Sequence, residues 1–174
     1  GNLDVYVVAT EDYDPNDPTT WSRLFENQND GSFIDVTVQA GLEAIYDYEI
    51  QLPELDYNIA EFKNGVSWGD FNNDGFPDLF FTNYIHNKLY ENNGDGTFSD
   101  VTEKAKVDLK LDGYAVSSAW RDYNNDSFLD LVISYWEGQN NVLLRNNGDG
   151  SFTNTSQLIQ FEGIENTWMT LPVD

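Results

Sequence analysis

The apolar positions of the chain fall in short runs separated by polar and glycine-containing segments, and this pattern predicts β-strands. Leu79-Phe80-Phe81-Thr82 and Leu131-Val132-Ile133-Ser134 are two such runs, and each follows an acidic segment. Short runs that are rich in aromatic and β-branched residues and end at turn residues are typical of strands. No segment of the sequence keeps the apolar period of an amphipathic helix. The predicted fold class is therefore all-β.

The predicted strands belong to a unit that repeats about every 50 residues. Trp68 and Trp120 end equivalent strands, and segments 89–98 and 143–152 are similar at nearly the same spacing. An earlier copy of these segments occupies residues 24–33. Each unit reads as four short antiparallel strands, and four strands in a repeat of about 50 residues are typical of a β-propeller blade.

The length of 174 residues predicts a single repeat domain, residues 1–174, that contains three blade equivalents. Its expected parts are blades at about residues 1–45 together with a C-terminal strand at 163–174, at 62–107 and at 114–160, and an insert at about 46–61. The first blade is thus split across the termini. Because closed propellers have about four to eight blades, we expect a fragment of a longer propeller or a protomer of a larger assembly.

Two acidic loops of the same length carry oxygen-bearing side chains at their first, third, fifth and ninth positions. These residues are Asp70, Asn72, Asp74 and Asp78 in the first loop, and Asp122, Asn124, Asp126 and Asp130 in the second. The glycine at the sixth position of the first loop turns easily through positive φ, which leaves the carbonyl of Phe76 free to join the side chains. An all-oxygen set without His or Cys suits a hard cation, and six or more flexible donors favour Ca²⁺ over Mg²⁺.

The charge of the loops also favours a bound cation. Carboxylates held together repel one another by up to about 4 kcal/mol per pair at about 4 Å, if the effective dielectric constant is about 20. The first loop is not an EF-hand, because its twelfth position is Phe81 instead of glutamate and a strand is predicted after it instead of a helix. We therefore expect two Ca²⁺ sites.

A third, degenerate loop is split across the two ends of the sequence. Asp4 matches the ninth loop position and Asp174 matches the fifth, whereas Thr170 and Pro172 take the first and third positions. Proline offers no side-chain oxygen. This possible third calcium site is therefore expected to be weak or empty.

Several other conspicuous residues are predicted to be structural. The aspartates of the glycine-containing turns are predicted to accept backbone hydrogen bonds: Asp30, Asp95 and Asp149. The tryptophans that recur at one blade position are predicted to lie in the core: Trp68, Trp120 and Trp168. The lone histidine, His86, is predicted to be an exposed loop residue.

Composition narrows the classes of partner and cofactor. The chain has 8 Lys and Arg against 31 Asp and Glu, a net charge of −23, which argues against nucleic acid and anionic membrane surfaces as partners. There is no cysteine, so disulfides and thiolate metal sites are excluded. No apolar run is long enough to predict membrane insertion.

Together these motifs resemble the FG-GAP/VCBS repeats of calcium-binding β-propellers, in particular integrin-α-like and cartilage acidic protein-like repeats. The residues that carry the resemblance are segments 68–79 and 89–102 and their copies near 120 and 144. The resemblance implies a secreted or cell-surface propeller in which the Phe128 carbonyl completes the second calcium site. Ser127 replaces the usual glycine of that loop, which costs roughly 1 kcal/mol if its backbone is left-handed, so the second site is expected to bind more weakly.

The sequence therefore predicts a calcium-stabilised extracellular binding, adhesion or structural module without catalytic activity. No Ser-His-Asp or Cys-His set can be assembled from it. One alternative is a calcium-dependent, lectin-like propeller in which aromatic residues stack on sugars: Trp21, Tyr84, Tyr135 and Trp136. Another alternative is a self-assembling surface fibre subunit. The protein or glycan ligand stays open, and the expected partners are further copies or the remainder of a longer chain.

Overall fold

The computed structural model describes residues 3–8, 22–42, 63–83, 86–109, 114–136 and 140–158, with backbone only at residues 63 and 64. The predicted insert at 46–61 and the predicted strand at 163–174 lie outside these ranges. Among the helices of the described ranges, none has the length and apolar character needed to cross a membrane.

The described residues form three antiparallel sheets in which each strand pairs with the next one along the chain. The first sheet contains β1 (Val5–Val7), β2 (Arg23–Asn27) and β3 (Phe33–Asp35). The second contains β4 (Lys63–Gly69), β5 (Asp78–Asn83), β6 (Lys88–Asn92) and β7 (Phe98–Asp100). The third contains β8 (Tyr114–Arg121), β9 (Asp130–Trp136), β10 (Val142–Asn146) and β11 (Phe152–Asn154). A short helix, α1 (Thr102–Ala105), and a 3₁₀ turn (Ser156–Leu158) follow the second and third sheets.

This architecture confirms the all-β prediction, and it confirms four strands per repeat for the second and third sheets. The last two strands of each sheet are joined by the glycine-containing turns. In these turns the predicted aspartates accept hydrogen bonds from the backbone N–H groups two residues later, at 2.8, 3.0 and 3.0 Å for Asp30, Asp95 and Asp149. Their predicted role as turn formers is confirmed.

The second sheet is the middle layer, because it is packed on both faces. Neighbouring residues of a strand point to opposite faces, and the adjacent Phe80 and Phe81 of β5 are both buried. The Phe81 ring lies 5.0 Å from the Tyr6 ring of the first sheet, whereas the Phe80 ring lies 6.1 Å from Trp120 of the third sheet. Burial on both faces explains why this strand is continuously apolar instead of alternating.

Close approach between β4 and β8 joins the second and third sheets. A Cβ added to Gly65 would lie 2.9 Å from the carbonyl oxygen of Val116, and one added to Gly69 would lie 2.6 Å from the Trp120 indole. The hydroxyls of Ser67 and Ser118 are 2.6 Å apart. Small residues on β4 therefore let the neighbouring sheet come this near.

The tryptophans of the equivalent strands differ in their surroundings. Trp120 is half-buried and packs against the core between the second and third sheets, as predicted. The prediction for Trp68 is wrong, because this side chain is 38% exposed. Trp168 lies outside the described residues.

A buried asparagine also joins the second and third sheets. The side-chain Nδ2 of Asn146 donates to the carbonyl of Leu129 in its own sheet at 3.1 Å, and to the carbonyl of Phe71 at the edge of the second sheet at 2.8 Å. The equivalent Asn92 donates to Pro77 in its own sheet at 3.0 Å. Asn146 thus makes one hydrogen bond between sheets that Asn92 does not make within the described residues.

The sixth positions of the two acidic loops share one backbone conformation. Gly75 has φ of 92° and Ser127 has φ of 73°, so the left-handed geometry considered for Ser127 is confirmed. A Cβ added to Gly75 would have no atom within 4 Å. The free-energy cost of a side chain at this position therefore comes from the left-handed backbone conformation and not from steric contact.

Exchanging the residues at these two positions should move stability in opposite directions. Ser127→Gly removes a left-handed non-glycine residue and should raise the free energy of unfolding by roughly 1 kcal/mol, while Gly75→Ser should lower it by a similar amount. Urea denaturation of the two variants and the wild type measures both changes. A destabilised Ser127→Gly variant would contradict this account.

Removing the asparagine that bridges two sheets should cost more than removing its counterpart. Asn146→Ala leaves the buried Phe71 carbonyl and the half-buried Leu129 carbonyl without that donor, and it should lower the free energy of unfolding by about 1–3 kcal/mol. Asn92→Ala is the matched control and should cost less, because only one such bond is lost. Equal losses in urea denaturation would show that the bond to Phe71 contributes nothing measurable.

Candidate metal centres

The two acidic loops occupy equivalent places and contact each other. Residues 70–77 connect β4 to β5, and residues 122–129 connect β8 to β9. The side-chain amide of Asn73 in the first loop donates to the carbonyl of Ser127 in the second at 2.9 Å. Both loops therefore lie at the same end of adjacent sheets.

In the first loop, the oxygens predicted as metal ligands hold the backbone of the loop itself. Asp70 accepts from the N–H groups of Asp74 and Gly75 at 3.1 and 2.9 Å through its two carboxylate oxygens. Asn72 Oδ1 also accepts from the N–H of Asp74, at 3.1 Å, and Asp74 accepts from that of Phe76 at 2.8 Å. These bonds curl the side chains of the first, third and fifth positions toward the inside of the loop.

The second loop repeats this arrangement with a different sequence. Asp122 accepts from the N–H groups of Asp126 and Ser127 at 3.2 and 2.9 Å. Asn124 accepts from Asp126, and Asp126 accepts from Phe128, each at 2.9 Å. The third-position amide donates to the fifth-position carboxylate at 2.8 Å in both loops. The pattern is therefore retained although the second, sixth and eighth residues differ between the two loops.

The ninth position of each loop is a buried carboxylate that joins two parts of the sheet. Asp78 accepts from the N–H of Phe71 at 3.0 Å with one oxygen and from that of Asn92 at 2.8 Å with the other. Asp130 makes the same pair of bonds, with Tyr123 at 3.0 Å and with Asn146 at 2.8 Å. Each carboxylate thus ties the start of its loop to the third strand of its sheet.

Burial makes the charge of these two carboxylates costly. The pKa of Asp78 is raised to about 7, mainly by desolvation and in smaller part by the like charges of Asp74 and Asp70, while its two backbone hydrogen bonds act in the opposite direction. Desolvation also raises the pKa of Asp130, again with help from two like-charged neighbours in its loop. In the second loop, desolvation acts to raise the pKa of Asp122, but its backbone hydrogen bonds prevail and the pKa lies below the usual value.

The donor chemistry of the loops fits a hard cation. Each loop offers carboxylate oxygens, one amide oxygen and main-chain carbonyls, and carboxylate oxygens keep further lone pairs when they accept an N–H. Across the described ranges, no three acidic or histidine side chains come together as a group that would hold a metal on their own. The predicted ligand sets include an amide and a carbonyl besides the carboxylates, and they stay predictions.

The structure adds neighbours of the loops that the motif alone did not indicate. Glu91 of β6 accepts a hydrogen bond from the Asn72 amide at 3.1 Å. The ring of Phe76 lies against Gly94, where an added Cβ would be 2.6 Å from it, and Phe128 lies against Gly148 in the same way, at 2.9 Å. The seventh residue of each loop is therefore anchored on the glycine-containing turn of its own sheet. The spacing from loop to turn differs between the repeats, at 18 residues from Phe76 to Gly94 and 20 from Phe128 to Gly148, so spacing alone did not indicate this contact.

The described half of the third, degenerate loop keeps part of this arrangement. Asp4 Oδ1 accepts from the N–H of Asn27 at 2.9 Å, as Asp78 and Asp130 accept from the equivalent asparagines. Asp4 is exposed, whereas its two counterparts are buried. Asp174, Thr170 and Pro172 lie outside the described residues, so the third site also stays a prediction.

Two other expectations about side chains are wrong. His86 is half-buried, with its Nδ1 2.8 Å from Asp108 Oδ2, and is not a free loop residue. Tyr135 is 2% exposed and its hydroxyl accepts from the Asn87 amide at 3.1 Å, so its ring is not available to stack on a sugar. Trp136 packs against Tyr114 at 5.6 Å between ring centroids. Trp21 and Tyr84 lie outside the described residues.

Comparison with known proteins finds a family model that matches the two loops. Residues 70–133 match the model of the FG-GAP-like repeat family. The chain is 33% identical over 99 residues to cartilage acidic protein 1 of Xenopus tropicalis, and 36% identical over 83 residues to cartilage acidic protein 1 of Homo sapiens. These matches cover 56% and 47% of this chain, and 15% and 12% of the relatives. The chain thus spans a small part of the curated relatives that it matches.

The family match runs from the first residue of the first loop to Ile133 within β9, so it contains both acidic loops. The resemblance predicted from the motifs is confirmed for this stretch, which matches the FG-GAP-like repeat model.

Proposed function

We propose that this chain is a calcium-stabilised extracellular module for binding, adhesion or structure, that its sheets are blades of a β-propeller, and that it has no catalytic activity. The observation that supports this most strongly is the same set of hydrogen bonds in both loops, which differ at their second, sixth and eighth positions. In both loops, oxygens at the first, third and fifth positions turn inward. A solvated acidic turn has no need of such a repeated arrangement.

Calcium is the cation that this arrangement suits best. Ca²⁺ accepts six to eight oxygen ligands in a flexible geometry, while Mg²⁺ requires a nearly ideal octahedron. The proposed ligands are Asp70, Asn72, Asp74, Asp78 and the Phe76 carbonyl in the first loop, with Asp122, Asn124, Asp126, Asp130 and the Phe128 carbonyl in the second. A bound cation would offset both the mutual repulsion of these carboxylates and the desolvation of the buried one.

The extracellular assignment rests on the similar proteins and on composition. The name of these similar proteins refers to cartilage and to acidity, and cartilage is composed mainly of extracellular matrix. This chain is itself strongly acidic, with a net charge of −23. The affinities of extracellular calcium modules are of the order of 10⁻⁴–10⁻³ M, which agrees with loops that are largely open to solvent.

The proposal of a non-catalytic role rests on how the candidate residues are used. The acidic side chains of the loops serve the loop backbone, and the single histidine is paired with Asp108. The matched family model describes a repeat and names no reaction. Of the aromatic residues considered for a lectin, the described ones pack within the fold, so carbohydrate binding has less support than calcium-dependent adhesion.

Calcium should bind the metal-free chain at two sites and stabilise its fold. Isothermal titration calorimetry after removal of metal measures the stoichiometry, and calorimetric melts in chelator and in calcium measure the stabilisation. A free calcium concentration of 100 times Kd should add about 2.7 kcal/mol for each site. Identical melts with and without calcium would contradict the proposal.

Single substitutions should remove the two sites one at a time. Asp74→Asn should abolish the stronger binding event, and Asp126→Asn should abolish the weaker one in the loop that contains Ser127. Asp30→Asn is the matched control, because it changes the same acid to an amide at an exposed turn of the first sheet. Both calcium-binding events should persist in this variant. Unchanged stoichiometry in both loop variants would place calcium elsewhere.

A further inference from the structure

An open groove lies between the first and second sheets on the side of the acidic loops. Its volume is about 670 Å³, and its apolar lining includes Leu3, Leu24, Val36, Trp68 and Phe98. The indole of Trp68 is 38% exposed there. The groove therefore presents apolar surface that the described residues leave uncovered.

The equivalent space between the second and third sheets is filled by one residue of the first acidic loop. Phe71 is 2% exposed, and its ring centroid lies 6.0 Å from that of Phe152. Phe152, which is buried, is the repeat equivalent of the half-buried Phe98 in the groove. The two interfaces thus differ by one inserted apolar side chain.

Two polar atoms of the groove also lack a partner that their counterparts have. Phe71 donates its N–H to Asp78 and accepts at its carbonyl from Asn146. In the groove, the counterpart of the carboxylate is Asp4, whose Oδ1 is bonded to Asn27 but whose Oδ2 has no hydrogen bond among the described residues. The counterpart of Asn146 is Asn92, whose side-chain Nδ2 donates within the described residues to the Pro77 carbonyl alone.

One inserted residue would satisfy both atoms and fill the apolar space. It would have to present an apolar side chain, an N–H toward Asp4 and a carbonyl toward Asn92. In the two described repeats such a residue stands three positions after a tryptophan, as Phe71 after Trp68 and Tyr123 after Trp120. The same spacing occurs at Trp21-Ser22-Arg23-Leu24, where Leu24 belongs to β2 and already lines the groove, and at Trp168-Met169-Thr170-Leu171.

We propose that the groove of one molecule binds residues 167–171 of a second copy, with Leu171 in the place that Phe71 takes between the second and third sheets. The described chain before this segment ends at Leu158, after the third sheet, and the third sheet packs on the opposite face of the second sheet from the groove. To reach the groove of its own molecule, the chain after Leu158 would have to pass around the second sheet. The groove of a neighbouring molecule can be reached without that path around the second sheet.

The contact is heterologous, because the segment of one copy enters the groove of the next. Heterologous contacts produce rings or open chains instead of closed twofold dimers. Like-charged molecules repel, so salt, which screens charges, should strengthen the association. The proposal holds whether or not the loops bind calcium.

Sedimentation velocity of the full chain over a wide range of concentrations tests this contact. The mean mass should rise above 19.9 kDa as concentration increases. Leu171→Asp should stay at the mass of one chain. Leu158→Asp is the matched control, because Leu158 is 83% exposed and is not part of the groove, and it should associate like the wild type.

Mixing two defective variants provides the sharper test. Leu171→Asp keeps its groove and Trp68→Asp keeps its segment, so each alone should be monomeric and the mixture should stop at dimers, since it contains a single intact pair of surfaces. If circular dichroism shows that a variant does not fold, a synthetic peptide of residues 163–174 replaces it. This peptide should block assembly of the wild type, and the same peptide with aspartate at 171 should not.

A wild-type chain that stays monomeric at every concentration would overturn the proposal, and the groove would then be covered by the molecule's own segment or by another protein. Assembly that continues in both Leu171→Asp and Trp68→Asp would overturn it as well. Because calcium stoichiometry is measured separately on the same wild-type chain, failure here is distinguishable from failure of the proposed calcium sites.

Discussion

The buried carboxylate at the ninth position of each acidic loop is the interaction on which the rest of the structure depends. Asp78 takes the N–H of Phe71 on one oxygen and that of Asn92 on the other, and Asp130 does the same in the third sheet. These bonds fix where the loop begins relative to the third strand. Because hydrogen bonds to a charged group are worth more than neutral ones, the pair offsets part of the cost of burying the carboxylate.

Fixing the loop by its own side chains determines what the loop can bind. Backbone N–H groups of the loop are satisfied by the oxygens of the first, third and fifth positions, so the side chains of the loop themselves help to set its shape. A cation that arrives later orders little additional chain, and preorganisation of this kind favours affinity. The unfavourable part of the arrangement is the concentration of negative charge, and a divalent cation would remove that cost.

The sequence predicted the strands, the repeat and the loop positions because each of these depends on local spacing. It did not predict that Trp68 is exposed while Trp120 is covered, since the two residues occupy equivalent positions and differ in the sheet that lies beside them. The burial of Tyr135 and the pairing of His86 with Asp108 depend likewise on contacts between segments far apart in the chain. The bond from Asn146 to Phe71 spans 75 positions, and no local pattern indicates it.

The difference between equivalent residues follows from how the repeats are built. Each loop extends an apolar residue toward the following sheet, and each sheet offers the preceding loop a cleft, so no repeat is complete alone. Phe71 is buried because the third sheet receives it, whereas its equivalent Tyr123 is 42% exposed. The groove beside Trp68 is such a cleft, and the described residues place no loop side chain in it. A stretch of such repeats must therefore present an uncovered cleft at one side and a projecting side chain at the other, unless further repeats or further copies meet them.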